Sequence, residues 1–363
     1  MYIITNRALN KGKGLSVFGK SPSPKGPNEI RITDVNNDSN GWSVKVITDK
    51  LSKEKVKALK KKYNLDIDIN EQWHGSLRVA CELFERARTE NKSILFYVHG
   101  YNNDVTAVIK AANLLEKQYP DVIVVPFTWP ANGGGTLTGT ASYLSDKADA
   151  RSSVGALNRV VGKIQYYHAL LTAANKRRLR NLANDKHPNN AEKSYALFSS
   201  LMSKECSLTL NMLCHSMGNY LLKHTLCTSE NATSKLVFDN ICLIAADTNN
   251  AKHIDWVSKL DTRKRIYIVI NENDFALRFA RLKPGDEQLA RLGHYTQKLN
   301  SPNAYYIDVT DADYVGNEHA YFKGAAVSKN EMLQKIFNGM FTGKSIEKQL
   351  VYKSDNNSYV LTE

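Results

Sequence analysis

Leu208-Thr209-Leu210-Asn211-Met212-Leu213-Cys214-His215-Ser216-Met217-Gly218-Asn219-Tyr220-Leu221-Leu222 is the stretch on which the reading of this chain turns. An apolar-rich run ends abruptly at Cys214, and a helix with Leu221, Leu222 and Leu226 on it follows from Met217 to about Cys227. Strand, tight turn and helix meet at Ser216. A serine hydroxyl is a poor nucleophile until a base takes its proton, so it must stand exposed and within reach of a histidine. A sharp strand-to-helix turn presents it that way, provided the residues two before and two after are small. Cys214 and Gly218 meet that need, although glycine is usual at the first position and Cys214 is a departure. The competing reading, an ordinary helix N-cap serine, is disfavoured by the placement between a buried strand and a helix.

Working outward, short apolar runs at 94–98, 122–127, 208–214, 241–246, 266–270 and 305–309 alternate with helical segments such as 106–119 and 217–227. Apolar runs flanked by helices imply a mostly parallel sheet buried on both faces. The expected fold class is α/β with helices on both faces and a helical insertion before the nucleophile strand. The interval from Trp129 to Leu208 is too long for an ordinary connection. It opens on Asn132-Gly133-Gly134-Gly135, continues into an amphipathic helix with Leu157, Val160, Val161 and Ile164, and then carries the basic residues 176–180. A lid over the site and a plain crossover helix are equal expectations for it. Before residue 93, a short strand at 2–5 precedes loop chemistry to about 40. A half-exposed strand at 42–48, a Lys-rich helix capped by Ser52 and ending near Tyr63, and a helix at 75–88 follow.

A second element supports the first. Val98-His99-Gly100-Tyr101-Asn102-Asn103 directly follows an apolar strand. An acyl-transfer site needs preorganised donors for its oxyanion, commonly the amide after the nucleophile and one from this earlier loop. The backbone N–H groups of Met217 and Tyr101 are the candidates, and Gly100 lets the loop approach closely.

Residues 93 to 325 or so resemble the α/β-hydrolase superfamily. Within it they are similar to a bacterial serine-hydrolase branch of unassigned function that pairs a His-Gly-Tyr-Asn loop with a later His-Ser-Met-Gly elbow. Phe127-Thr128-Trp129-Pro130 and Tyr143-Leu144-Ser145-Asp146 are similar to that branch too. The resemblance implies the order Ser, acid, His along the chain. Asp274, just after the run 265–270, is the expected acid, and Asp247, after 243–246, is the alternative; both are also plausible turn or capping residues. His319, in Gly316-Asn317-Glu318-His319, is the expected base, with His294 as the alternative. His215 reads as structural. The domain organisation expected is an N-terminal extension at 1–90 able to join the main sheet, an α/β-hydrolase domain at 91–345 with its insertion at about 131–205, and a C-terminal tail at 346–363.

The bulk properties narrow the classes. With 363 residues, 42% hydrophobic and 23% charged, the chain has globular composition. No run approaches the roughly 18 apolar residues of a membrane span, and no secretory h-region opens the sequence, so the expected location is cytoplasmic. Five scattered cysteines, Cys81, Cys206, Cys214, Cys227 and Cys242, read as reduced thiols, and the nine histidines form no metal-ligand pattern. No cofactor and no metal are expected. The charge excess, 49 − 36 = 13, favours polyanionic partners. It is spread over 60–62, 176–180 and 263–265 with no nucleic-acid module around it, which makes nucleic acid a disfavoured partner. The expected function is cleavage of an ester-type acyl bond by a Ser216-His319-Asp274 triad in an esterase- or lipase-like enzyme. Its substrate is a small-molecule or lipid acyl compound, with a lean towards an anionic lipid surface. The rival is a noncatalytic module of the same fold that binds nucleic acid or another polyanion; three groups intact in order argue against it. Soluble ester, thioester and peptide substrates stay open, as does the oligomeric state.

Overall fold

The computed structural model describes residues 1–39, 41–131, 140–205, 209–228, 237–283 and 289–361. The Asn132–Gly135 run and Cys206 lie outside the described residues. Strands follow the chain as β1 (Tyr2–Thr5), β2 (Arg7–Leu9), β3 (Phe18–Pro22), β4 (Arg31–Asp38), β5 (Gly41–Val46), β6 (Ser93–Val98), β7 (Val122–Thr128), β8 (Leu210–His215), β9 (Asn240–Ile244), β10 (Arg265–Ile270), β11 (Ala304–Asp308), β12 (Val351–Lys353) and β13 (Ser358–Val360). The helices are α1 (Lys53–Tyr63), α2 (Gly75–Glu90), α3 (Val105–Gln118), α4 (Thr140–Ser152), α5 (Val154–Lys186), α6 (Ala191–Glu205), α7 (Met217–Thr228), α8 (Ile254–Val257), α9 (Phe275–Arg281), α10 (Ala325–Lys329) and α11 (Glu331–Phe341).

One sheet organises the molecule, in the order β12-β13-β11-β10-β9-β8-β6-β7-β1-β4-β5. From β13 through β1 neighbouring strands are parallel, and each end closes with an antiparallel hairpin, β4–β5 on one side and β12–β13 on the other. Period-two alternation assigns the apolar residues to two faces. Phe96, Val98, Met212 and Cys214 pack under α5 and α7 with Leu157, Val160 and Leu221. Leu95, Tyr97 and Leu213 pack under α3 and α11 with Leu115 and Phe337. This is the mostly parallel α/β architecture with helices on both faces that the apolar runs require.

The strand order reverses at β6: β7 lies on one side of it and β8, next in the sequence among the sheet strands, on the other. Such a reversal opens a crevice beyond the carboxyl ends of the two strands. His99 follows β6 and Ser216 follows β8, so both sequence motifs come to that crevice.

Two expectations change. The segment 6–40, read as loop, contributes β2, β3 and β4. Its turn-rich composition hides β2 and β3, which are short and paired with a register shift, and the polar Thr33-Asp34 and Asn36-Asn37-Asp38 obscure β4, an eight-residue strand between β1 and β5. The segment 346–363, read as a tail, contributes β12 and β13, the latter parallel to β11. The insertion divides into two roles. In α5, Ala156, Leu157 and Val160 are buried against the sheet, and the helix runs on unbroken through the basic residues 176–180. Helix α4 lies at the crevice. Among the described residues no helix is long and apolar enough to cross a membrane.

Candidate active site

Ser216 occupies the turn between β8 and α7 with φ +54°, a left-handed conformation that few non-glycine residues adopt without a structural reason. The reason is local. The Ser216 N–H donates to Ile244 O at 3.1 Å, and its carbonyl accepts from the N–H groups of Asn219 (3.0 Å) and Asp247 (3.2 Å). The buried Asn219 amide adds three contacts, donating to the carbonyls of Cys214, Ser216 and Ile244 at 3.0 to 3.2 Å. The turn is thereby tied to the adjacent strand. A Cβ on Gly218 would lie 2.6 Å from Val98 O and 2.8 Å from His99 O, so only glycine lets α7 start this close to β6. Cys214, on the other side of the serine, is buried in the α5–α7 core, where its small side chain fits.

The loop after β6 is fixed as firmly. Gly100 sits against the serine: a Cβ there would lie 2.7 Å from Ser216 Cβ. His99 stacks flat on Trp129 with centroids 5.1 Å apart. Its Nδ1–H donates to Gly100 O (2.9 Å), its Nε2 accepts from the Trp129 amide (3.2 Å), and Trp129 Nε1 donates to His99 O (3.0 Å). Burial, with Arg7 nearby, pushes its pKa down to about 3, so it is a neutral structural residue. Asp146 of α4 accepts from the Asn102 amide at 3.0 Å. Arg7, buried at the start of β2, donates from Nη2 to Asn103 O (3.2 Å) and Ala131 O (2.9 Å), and from Nε to Thr128 Oγ1 (3.0 Å). The loop around Tyr101 is thus anchored at Gly100 against Ser216 and at Asn102 and Asn103 from α4 and β2, and Met217 is the first residue of α7.

Asp274 follows β10 and is fully buried. Its Oδ1 caps α9 by accepting from Leu277 N–H (3.0 Å), and its Oδ2 accepts from His319 Nδ1–H at 2.7 Å. That hydrogen bond leaves Nε2 of His319 as the proton acceptor. Burial lowers the pKa of His319, but the charge and hydrogen bond of Asp274 outweigh it, and the imidazole is held above its ordinary value. The loop bearing His319 is anchored by Asn271, whose amide donates to Gly316 O (3.0 Å) and Glu318 O (3.2 Å). His215 adds a link to the nucleophile turn. Its Nε2–H donates to the His319 carbonyl at 3.1 Å, and the two rings lie 4.6 Å apart. Burial, then the neighbouring His319, pushes the His215 imidazole well below the usual range.

Asp247, the alternative acid, is engaged elsewhere: Oδ2 accepts from Tyr143 OH at 2.9 Å and Oδ1 lies 3.0 Å from Arg291 Nε, all three side chains being buried. Lys283 is also buried, its ammonium 4.2 Å from the Tyr143 ring centre and 5.1 Å from that of Tyr101. His294, the alternative base, closes the short 3₁₀ turn Leu292–His294, and burial lowers its pKa. The partner of Asp274 is His319. Asn219, Arg7 and Arg291 carry site geometry that the sequence reading assigned no role. Asn219 stood inside the quoted motif; nothing in the local sequence marks the other two.

No curated protein and no solved structure matches the chain. Residues 79–171, about a quarter of its length, match the model of one family. They span β6, α3, β7, α4 and the first half of α5, including the His99–Asn103 loop, and stop before the Ser216 turn. That family is described as an alpha/beta hydrolase of unknown function (DUF900), and the mostly parallel sheet with helices on both faces is consistent with that description.

Proposed function

We propose that the chain is a serine hydrolase that cleaves an ester-type acyl bond. Ser216 Oγ attacks the carbonyl carbon while Nε2 of His319 takes its proton. Asp274 orients His319 and stabilises its charged form. The amides of Met217 and Tyr101 stabilise the oxyanion. The tetrahedral intermediate collapses as His319 gives its proton to the leaving alcohol, and water, deprotonated by His319, then releases the acid from the acyl-enzyme. The observation that carries this reading is the 2.7 Å contact between His319 Nδ1 and Asp274 Oδ2, on a loop that His215 ties to the left-handed Ser216 turn.

Helix α4 covers the crevice in this scheme, through Tyr101 OH and Ser142 Oγ (2.7 Å), Tyr143 and Asp146. Its contacts to the loop and to Asp247 support a lid role; the substrate in this reading is a small-molecule or lipid acyl compound. The deciding experiment is labelling with a fluorophosphonate probe alongside hydrolysis of 4-nitrophenyl acetate. Wild type is expected to label and to hydrolyse, and S216A to do neither; full labelling of S216A would remove Ser216 from the mechanism.

A further inference from the structure

Protein interiors are packed to crystal-like density, and voids larger than a water molecule are few. On the α5 face of the sheet this chain departs from that rule. A cavity of about 310 Å³ lies between α2, α5 and the strands, in the size range of small-ligand pockets. Its floor is made by Ile94, Phe96, Val125 and Leu210, and its walls include Val79 and Leu83 of α2 and Ile164 of α5. Ser216, Asp274 and His319 do not line it, and its floor lies towards the amino-terminal halves of β6 and β8, whereas the catalytic crevice lies at their carboxyl ends.

The polar groups of the cavity are distributed unevenly. Within it, Ser76 Oγ and Tyr167 OH satisfy each other at 2.8 Å, and His168, whose pKa burial lowers, is a further polar group of a mostly apolar lining. At the rim are Glu29 and Asp49, both turned to Arg31, with Glu29 in the closer ion pair. Among the described residues no carboxylate pairs with Arg159 or Lys163, one turn apart on α5: Arg159 Nη1 donates to Asn28 O at 2.7 Å, and Lys163 lies over the Tyr167 ring. Arg159 is exposed and Lys163 partly so. An apolar interior with Arg159 and Lys163 at its opening, beside carboxylates already paired with Arg31, suits a single hydrocarbon chain ending in an anion.

We propose that this cavity is a second binding site, separate from the catalytic crevice, for a fatty acid whose tail lies between the sheet and helices α2 and α5 and whose carboxylate meets Arg159 and Lys163. The proposal goes beyond the reading of Ser216 as nucleophile, and each can fail alone.

Calorimetric titration of the full chain with dodecanoate tests it. One equivalent is expected to bind to wild type and to S216A alike. Ala80→Phe, which fills the cavity from α2, is expected to weaken binding by about tenfold or more. Leu83→Trp fills it from another point and serves if the first variant does not fold, folding being checked by thermal melting. R159E/K163E is expected to weaken dodecanoate by a similar factor and to leave dodecanol unchanged. No binding, or binding untouched by whichever cavity-filling variants fold, would overturn the site. Equal loss of dodecanol and dodecanoate in R159E/K163E would overturn the role given to the cations. Fluorophosphonate labelling of Ser216 is expected to persist in every variant except S216A, so failure of the catalytic reading would be seen separately.

Discussion

Both carboxylate oxygens of Asp274 are engaged, one at the start of α9 and the other on His319. Asp274→Asn preserves the size and a capping oxygen but removes the charge that orients the imidazole and stabilises its protonated form. It is expected to lower kcat/KM by about 10³ to 10⁴. His319 must be neutral to act as base, so wild-type kcat/KM is expected to rise with pH through a midpoint above the ordinary histidine value of about 6.5. In the Asn variant burial is opposed only by the weaker influence of Asp247, and the midpoint is expected to move down; an unmoved midpoint would separate Asp274 from His319 in function. His215 acts through another residue. His215→Phe removes the donor to the His319 carbonyl and is expected to lower kcat with little change in KM, whereas His215→Gln can restore the hydrogen bond and part of the rate. At this scale the sequence is most legible where chemistry dictates residue type. The candidates Ser216, Asp274 and His319 could each be proposed from position after a strand, and of their contacts the one between Asp274 and His319 is seen directly. The use of His215 could not, because it depends on a carbonyl 104 residues away.

Between elements, the close approaches decide what can change. The start of α7 touches the end of β6 through Gly218, where the obstructing atoms would be backbone oxygens that cannot rotate away. Gly218→Ala is expected to destabilise the fold by about 1–3 kcal/mol, read as a lower urea midpoint, because the helix must withdraw. Arg7 joins β2 to the loop after β6 and to the end of β7. Arg7→Met would strand Asn103 O, Ala131 O and Thr128 Oγ1, and is expected to cost about 2–3 kcal/mol and to lower kcat more than it raises KM. Long amphipathic or apolar elements such as α2, α3, β6 and β7 are legible from periodicity alone. The strands β2, β3, β12 and β13 are not: at three to five residues each, their pairing partners rather than their own patterns make them strands. The division of the insertion into a core helix and a helix at the crevice was equally hidden, since both halves are helical.

For the whole molecule, burial of neutral histidines sets the response to acid. Unfolded, His99 and His215 take up protons near pH 6.5; folded, His99 resists down to about 3 and His215 is held well below its usual value. Their contribution to stability is full above pH 6.5 and falls as pH drops below it, by about 1.4 kcal/mol per pH unit for each histidine. His319 acts in the opposite sense, its contribution being full below 6.5 and lost as pH rises through its raised folded value. Below pH 6.5 the His319 contribution no longer changes, so urea midpoints are expected to fall between pH 6.5 and 4.5, and His99→Gln to flatten that fall; a midpoint independent of pH over this range would contradict the neutral assignment. The topology of the sheet has a different consequence. Its parallel strands, whose partners lie far apart in the sequence, are all interior, while each edge is a hairpin of local pairing that carries a lysine on the outermost strand, Lys45 on β5 and Lys353 on β12. A second copy approaching either edge of the folded sheet meets an ammonium group. The slow, nonlocal pairings that precede closure leave strand edges bare. Concentration-dependent aggregation therefore belongs to the refolding chain and not to the folded one.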